Sequence, residues 1–377
     1  MIWRLPVPVR SFYVSNCRRY STVRSSDPLR ILFCGSDEFS IASLRKLVQA
    51  KQDVPDLIKS IDVVHRPGKP TGRKLLKIKE VPIKQVTEEL QLDTHVIDTF
   101  TGWTPPISYN LIIAVSFGLF VPPRILNLAK YQGLNVHPSL LPDLKGAAPL
   151  HHTILKKRPF AGVTVQTLHP EKIDSGTILA QSPSPGIDYS DTPTITELTN
   201  RLGNVGGDML VDVLKSGAFV PPVRDVGWYA ESGGPVEHAG KLDKSSWFVD
   251  FSKTTLDEIE TMKRAGGLPW CAMPSSERLV LNKCWPSTLK TTDRVPPGIW
   301  CPDLKHPFCN HKAIPKRWLM AKTAEGGILR IQTSTSEGSK TNGGYDRFRK
   351  LFGPQHVYVW EKDEPEPRYG KKQIPPK

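Results

Sequence analysis

The sequence predicts an α/β chain built on a mostly parallel central sheet, followed by a smaller β-rich unit, a barrel or a sandwich. Two observations predict the first part. Short, wholly apolar runs such as Leu111-Ile112-Ile113-Ala114-Val115 have the composition of strands buried on both faces, and helical stretches alternate with them. A third observation predicts the second part: from Lys241 onward the apolar pieces shrink to Trp247-Phe248-Val249, Leu279-Val280-Leu281, Ile328-Leu329-Arg330-Ile331 and Val357-Tyr358-Val359, separated by frequent turn residues. A length of 377 residues accommodates both units, and 38% hydrophobic against 23% charged residues supplies apolar material for two cores. No apolar run reaches the roughly 18 residues of a membrane span, so no membrane partner is expected.

In chain order, the first segment holds Arg4, Arg10, Arg18, Arg19 and Arg24, several serines, and no acidic residue before Asp27. That is the composition of a mitochondrial transit peptide, expected over residues 1–28, and it points to the mitochondrial matrix. A secretory signal is disfavoured because Arg and Pro interrupt every stretch that would serve as its apolar core. Arg30 to Gly35 reads as a strand and Phe39 to Leu47 as the helix after a Gly-Ser-Asp turn. The lone Gly35 is no G-x-G-x-x-G fingerprint, and no P-loop occurs, so neither a dinucleotide nor a nucleoside triphosphate is implied. After a strand at Ile61 to Val64, the run from His65 to Lys77 carries two prolines and two glycines. It reads as an exposed loop without regular structure, bearing Arg66, Lys69, Arg73, Lys74 and Lys77. Pro82 to Leu90 and Val121 to Lys130 read as helices, His95 to Ile97 and Leu134 to His137 as strands. A helix at Ala148 to Lys156 follows, then strands at Val163 to Leu168 and Thr177 to Gln181 bracketing a turn at Asp174. The stripe Leu198, Leu202, Val205, Met209, Val213 marks the last helix of a unit spanning 29–216. Its Pro-Pro and Gly-Gly pairs make 217–240 a linker to the second unit, 241–362, and 363–377 is a Pro- and charge-rich tail expected to be disordered.

Chemistry concentrates at Asn135-Val136-His137-Pro138-Ser139-Leu140-Leu141-Pro142. Side chains alternate faces along a strand, so Asn135 and His137 project the same way, an amide donor beside an imidazole at the carboxyl end of a buried strand, where open α/β sheets bind ligands. An isolated N-x-H is ordinarily no more than a strand end satisfying its neighbours. Six cysteines without a C-x-x-C pairing fit reduced thiols rather than a disulfide framework. Cys301, Cys309 and His311 are too irregular for a metal reading, and no metal is expected. The formal charge of +14 favours a polyanionic partner and stays basic if the leader's arginines are lost.

The continuation of the N-x-H strand, His137 to Leu155, Gly162-Val163-Thr164-Val165, and Ile173-Asp174-Ser175-Gly176-Thr177-Ile178-Leu179, resembles the folate-dependent formyltransferases. In that family the Asn and His of N-x-H-x-S-L-L-P and the Asp of a downstream D-S/T-G form the catalytic triad. The resemblance assigns these roles to Asn135, His137 and Asp174, with 10-formyltetrahydrofolate as co-substrate. Ser116, Phe117 and Gly118 resemble the segment that holds the pterin, and Ser139, Leu140, Leu141 and Pro142 its apolar wall. The first turn and the basic run at 66–77 resemble the branch of the family that acts on methionyl-tRNA, in which that run enters the acceptor stem; Arg73 matches its key arginine. The glycinamide ribonucleotide branch has a G-x-G-S-N phosphate loop instead, which is missing here.

The resemblance therefore implies a Rossmann-like formyltransferase fold, a carboxy-terminal oligonucleotide-binding-like (OB-like) barrel, initiator methionyl-tRNA as acceptor, and a monomer. Its rivals are a formyltransferase or 10-formyltetrahydrofolate hydrolase acting on a small molecule, and a noncatalytic tRNA-binding protein on the same scaffold. Asp143 and Lys145 depart from the arginines this branch carries there, and both are expected on the rim of the site, bearing on tRNA or folate contacts rather than on chemistry.

Overall fold

The structure, a computed structural model, describes residues 24–72, 75–273, 277–288, 297–301, 317–352 and 357–358. Most of the expected leader, the loop residues Arg73 and Lys74, the metal candidates Cys309 and His311, and the expected tail lie outside the described residues.

The amino-terminal half runs β1 (Leu29–Gly35), α1 (Glu38–Asp53), β2 (Ile58–His65), β3 (Lys69–Thr71), β4 (Lys77–Lys79), α2 (Pro82–Glu89), β5 (Thr94–Val96), β6 (Leu111–Val115), α3 (Pro123–Leu126), β7 (Gly133–His137), β8 (Lys145–Gly146) and α4 (Pro149–Leu155). It continues through β9 (Phe160–Ala161), β10 (Thr164–Thr167), β11 (Ile178–Gln181), β12 (Ile187–Asp188) and α5 (Ile195–Ser216). The main sheet has the order β11-β10-β7-β6-β1-β2-β5. From β7 to β5 neighbours pair in parallel, whereas β10 is antiparallel to both β7 and β11. The wholly apolar β6 is buried at every residue, as a central strand covered on both faces requires. The chain leaves β1 toward β2 on one side and later returns to β6 on the other, so the strand order reverses there and opens the crevice in which such sheets bind ligands.

Local signals explain the helices that cover the sheet. Asp37 caps α1 by accepting from the Ser40 N–H at 3.1 Å. Thr194 and Glu197 form a capping box at the start of α5, and Gly217 ends it in the left-handed conformation. The predicted stripe is where α5 meets the core: Leu198 and Leu202 are fully buried, and a β-carbon on Gly206 would fall 2.8 Å from Val136 on the triad strand.

Three expectations change. The helix expected from Val121 to Lys130 is only the four-residue α3: it opens on Pro122 and Pro123, where missing donors cost nothing, and stops after Leu126, where the backbone tightens to i→i+3 bonds from Leu128 to Ile125 and from Ala129 to Leu126. The basic run is not without regular structure: β3 and β4 form a hairpin pairing Lys69 with Lys79 and Thr71 with Lys77, and Pro70 is tolerated because a two-stranded ribbon is all edge. Residues 217–240 are not a free linker. They lie along the catalytic half as a strap, in which Trp228 Nε1 donates to the Ser182 carbonyl at 2.7 Å, Gln181 Oε1 accepts from the N–H of Trp228, and β13 (His238–Ala239) pairs in parallel with β8.

The carboxy-terminal part contains α6 (Leu256–Arg264), β14 (Trp270–Ala272), β15 (Arg278–Ser287), β16 (Gly298–Trp300), β17 (Leu319–Lys322), β18 (Ile328–Ser336), α7 (Gly344–Phe352) and β19 (Val357–Tyr358). The strands form one antiparallel sheet ordered β14-β15-β18-β17-β16-β19, bent where the β15–β18 register shifts around Lys283, as a small OB-like half-barrel requires. It closes over a core of its own that includes Phe251, Ile259, Leu281, Ile331 and Phe348. The strand expected at Trp247 to Val249 is a 3-10 turn at Ser245–Trp247 followed by a single bridge from Phe248 to Trp270. Among the described residues no helix is long and apolar enough to cross a membrane.

Candidate active site

Strand β7 lies between β6 and β10, and this sandwiching fixes Asn135 and His137. Asn135 stands opposite Ala114 on β6 and Gln166 on β10, and His137 opposite Thr164. The Asn135 amide donates from Nδ2 to the Ala114 carbonyl at 2.9 Å, while its Oδ1 accepts from Gln166 Nε2 at 3.1 Å. Both ends of the amide are therefore assigned by their partners, and its second Nδ2 hydrogen has no acceptor among the described residues.

The His137 side chain is 6% exposed and meets oxygen on both sides: Nδ1 lies 3.4 Å from Asp174 Oδ1, and Nε2 lies 3.0 Å from the Leu144 carbonyl. A carbonyl only accepts, so Nε2 carries the proton of that contact, and Nδ1 is turned toward the Asp174 carboxylate. Asp174 reaches this position from the turn between β10 and β11, with φ of 51° in the left-handed region. Its Oδ2 accepts from the Gly146 N–H at 2.8 Å. Gly176 closes the turn where a β-carbon would lie 1.7 Å from the Thr167 carbonyl, so no other residue fits.

The expected trio is thus assembled, and the structure adds a residue that sequence reading passed over. Gln166, 2% exposed, holds Asn135 through Nε2, accepts from the Gly176 N–H through Oε1 at 3.0 Å, and places Nε2 3.4 Å from Asp174 Oδ1. The available signal was its place two residues after Thr164, on a strand beside the N-x-H strand. Asp143 is also not on the rim: its side chain is 6% exposed and takes a two-pronged ion pair from Arg158 Nε and Nη2 at 2.9 and 3.0 Å. Arg158, just beyond α4, supplies a partner that the local sequence around Asp143 does not show. Lys145 is half-buried and donates to Ser175 Oγ at 3.1 Å, next to Asp174.

The expected folate residues fall into two groups. Ser116 and Gly118 both adopt positive φ directly after β6, at the strand-order reversal, and Phe117 is buried between them against Phe100. Ser139 to Pro142 form a tight turn whose polar groups are used internally: Ser139 Oγ donates to the Asp143 carbonyl, Thr164 Oγ1 donates to the Ser139 carbonyl, and Leu140 packs beneath Gly162. Of the expected tRNA residues, Lys69 and Lys77 are exposed on the hairpin beside the exposed Leu75, Leu76 and Ile78. Arg66 is not with them, since it lies at the hairpin base in an ion pair with Asp98 at 2.5 Å.

Residues 29–214 match the family model described as formyl transferase. A putative methionyl-tRNA formyltransferase of Schizosaccharomyces pombe is 32% identical over 269 residues, covering 65% of this chain and 75% of that protein. The chain belongs to the formyl transferase family. A mitochondrial methionyl-tRNA formyltransferase of Saccharomyces cerevisiae is likewise 32% identical, over 65% of this chain and 71% of its own length. Among solved structures, an N-formyltransferase from Helicobacter canadensis in complex with folinic acid and dTDP-3-aminofucose shares the formyl transferase fold. It has a TM-score of 0.50 at 13% identity, over 81% of this chain and 99% of its own.

Proposed function

We propose that this formyl transferase moves the formyl group of 10-formyltetrahydrofolate onto the α-amine of methionine carried by initiator tRNA, in the mitochondrial matrix, with Asn135, His137 and Asp174 as its catalytic residues. The observation that supports this most is the arrangement of the three side chains: one unpaired amide hydrogen and one imidazole between two acceptors on β7, and one carboxylate on the turn before β11, all beside the sheet's crevice. Ser116 to Gly118 would hold the pterin, and Lys69 and Lys77 of the hairpin, with Arg73 and Lys74 of the same basic run, would take the acceptor stem.

The amine nitrogen bonds to the formyl carbon, whose oxygen becomes an oxyanion; the bond from that carbon to N10 then breaks, N10 takes a proton, and the amine gives one up. The oxyanion needs donors already in place, and one is typically worth about 3 kcal/mol. The second Nδ2 hydrogen of Asn135 is such a donor. His137 contributes its imidazole, fixed at Nε2 by the Leu144 carbonyl and facing Asp174 at Nδ1, as the second polar group beside the oxyanion. Asp174 is placed to receive the amine's proton through water. A small-molecule acceptor leaves the basic hairpin and the carboxy-terminal sheet without a role, so that reading is not adopted. Asn135→Ala and His137→Ala should each lower kcat for methionyl-tRNA formylation by about 10²-fold with unchanged circular dichroism, and Asp174→Asn should lose activity as well. Wild-type turnover in the first two would refute the assignment.

A further inference from the structure

The partner of His137 on its Nε2 side is a backbone carbonyl, so something must hold that carbonyl. Leu144 carries it with φ of 56°, a left-handed conformation that leucine rarely adopts. The Leu144 N–H donates to the Glu237 carbonyl at 2.8 Å, which brings the strap behind the catalytic turn. Two residues on, Gly146 donates to Asp174 and is paired to the strap through β8 and β13, and the Ala148 N–H donates to the Ala239 carbonyl. The segment that touches both His137 and Asp174 is thus held from the rear by residues 237–239.

One cluster, centred on the Asp143–Arg158 pair and reaching the exposed Glu237 carboxylate, clamps the turn and the strap together. Asp143 Oδ1 accepts from the Glu237 backbone N–H at 2.9 Å and from Arg158 Nη2 at 3.0 Å, while Oδ2 accepts from Arg158 Nε at 2.9 Å. Arg158 Nη2 also reaches the Glu237 carboxylate at 2.8 Å, and Lys156 pairs with the same carboxylate. The Arg158 side chain is only 10% exposed, so its planar fork is fixed in a place a lysine cannot fill in the same way.

We propose that Arg158, through Asp143 and the Glu237 backbone, is a positioning residue for formyl transfer: it sets the Leu144 carbonyl against His137 Nε2 and the Gly146 N–H against Asp174. Asp143 is then not a lost contact to substrate but half of this clamp. The proposal rests on the catalytic roles given above for His137 and Asp174.

The test uses the full chain freed of its leader, with Arg158→Met and Arg158→Lys. The readouts are kcat and KM for methionyl-tRNA and for 10-formyltetrahydrofolate, together with the slowly exchanging imidazole N–H resonance of His137 in 15N-histidine-labelled protein, assigned by its loss in His137→Ala. Displacing a catalytic group by about 1 Å costs on the order of 10²-fold. Arg158→Met should therefore lower kcat by about 10- to 100-fold with either KM within about twofold, and lose the protected N–H resonance, while Arg158→Lys recovers part of both. A kcat within twofold of wild type with the resonance retained overturns the proposal. So does a loss shared between kcat and both KM values, which marks a merely structural residue. If Arg158→Met does not fold, Asp143→Asn, of the same shape, must show the same kcat-only loss. Should the wild-type chain fail to formylate methionyl-tRNA, the functional reading falls, and the resonance alone still decides whether Arg158 holds the Leu144 carbonyl in place.

Discussion

Replacing Gln166 by leucine tests whether the site depends on a residue that contributes no chemistry of its own. The substitution keeps the side-chain volume and removes two sound hydrogen bonds, Nε2 to Asn135 Oδ1 at 3.1 Å and Oε1 from the Gly176 N–H at 3.0 Å. The contact to Asp174 Oδ1 at 3.4 Å is too long to weigh heavily. Each stranded partner in a water-poor position costs about 1–3 kcal/mol, so the variant should lose about 3 kcal/mol of stability. For a cooperative unit of roughly 200 residues that is a drop in Tm of about 6–12 °C. Activity should fall too, because Asn135 is then oriented by the Ala114 carbonyl alone and its amide can turn over, presenting oxygen where the oxyanion needs a hydrogen. A tenfold or greater fall in kcat at a temperature well below the new Tm is expected. Gln166→Glu sharpens the result: it keeps the shape and the acceptor for Gly176, but sets an acceptor against Asn135 Oδ1 and a charge beside Asp174. It should therefore be less active than a stability loss alone accounts for. Differential scanning calorimetry with single-turnover formylation measures both quantities. A leucine variant within about 2 °C and twofold of wild type would refute the view that Gln166 organises the site.

Two further outcomes follow from the hairpin surface and from one helix-capping acid. Lys69→Ala and Lys77→Ala, both on the exposed hairpin, should each reduce the magnitude of the salt slope of tRNA binding by roughly one unit, whereas Arg66→Ala should change it less because Asp98 already neutralises Arg66. Equal slopes in all three variants and wild type, measured by filter binding across a salt series, would remove the hairpin from the tRNA interface. Desolvation at the start of α1 raises the Asp37 carboxyl above its ordinary value, opposed by its bonds to Ser40 and Ser116, while the residue itself stays exposed. The folded chain therefore holds that proton more tightly than the unfolded one, and a small part of the stability is lost as pH rises from about 4 through the folded value. Asp37→Asn keeps a good helix cap and lacks this loss, so its stability advantage should grow from pH 4 to pH 7 in denaturant titrations; a constant difference would show that the charge there has no cost.

Much of this architecture was readable because the signals were local and periodic. The wholly apolar Leu111–Val115 and the stripe on α5 needed no tertiary information to be assigned, and both are core. Val121 to Lys130 failed because apolar spacing does not show that the backbone tightens after Leu126 into i→i+3 turns, which end the helix at four residues. The docking of the linker went unread for a different reason. Pro-Pro and Gly-Gly pairs exclude helix, but they do not say whether the backbone finds partners, and residues 225–239 find them on β11 and the catalytic turn. Asp143 was misplaced because its partner, Arg158, lies fifteen residues away beyond a helix.

The unread part of the site is mostly backbone. Asn135, His137 and Asp174 carry their chemistry in the side chain, so a motif names them. The Leu144 carbonyl and the Gly146 N–H have no such mark, yet they occupy one side of the histidine and one oxygen of the carboxylate. Sequence signals for unusual backbone are glycine and asparagine, and they do not help here: Ser116, Leu144 and Asp174 all take positive φ around the crevice without being either. Each costs on the order of 1–3 kcal/mol and persists only where the surroundings over-determine it. For Leu144 those surroundings are the strap on its N–H and His137 on its carbonyl, supplied by residues about a hundred positions apart in the chain. Strained, non-glycine backbone thus gathers where the side chains proposed for catalysis need fixed partners, and a reading confined to side-chain motifs finds those groups while leaving out what orients them.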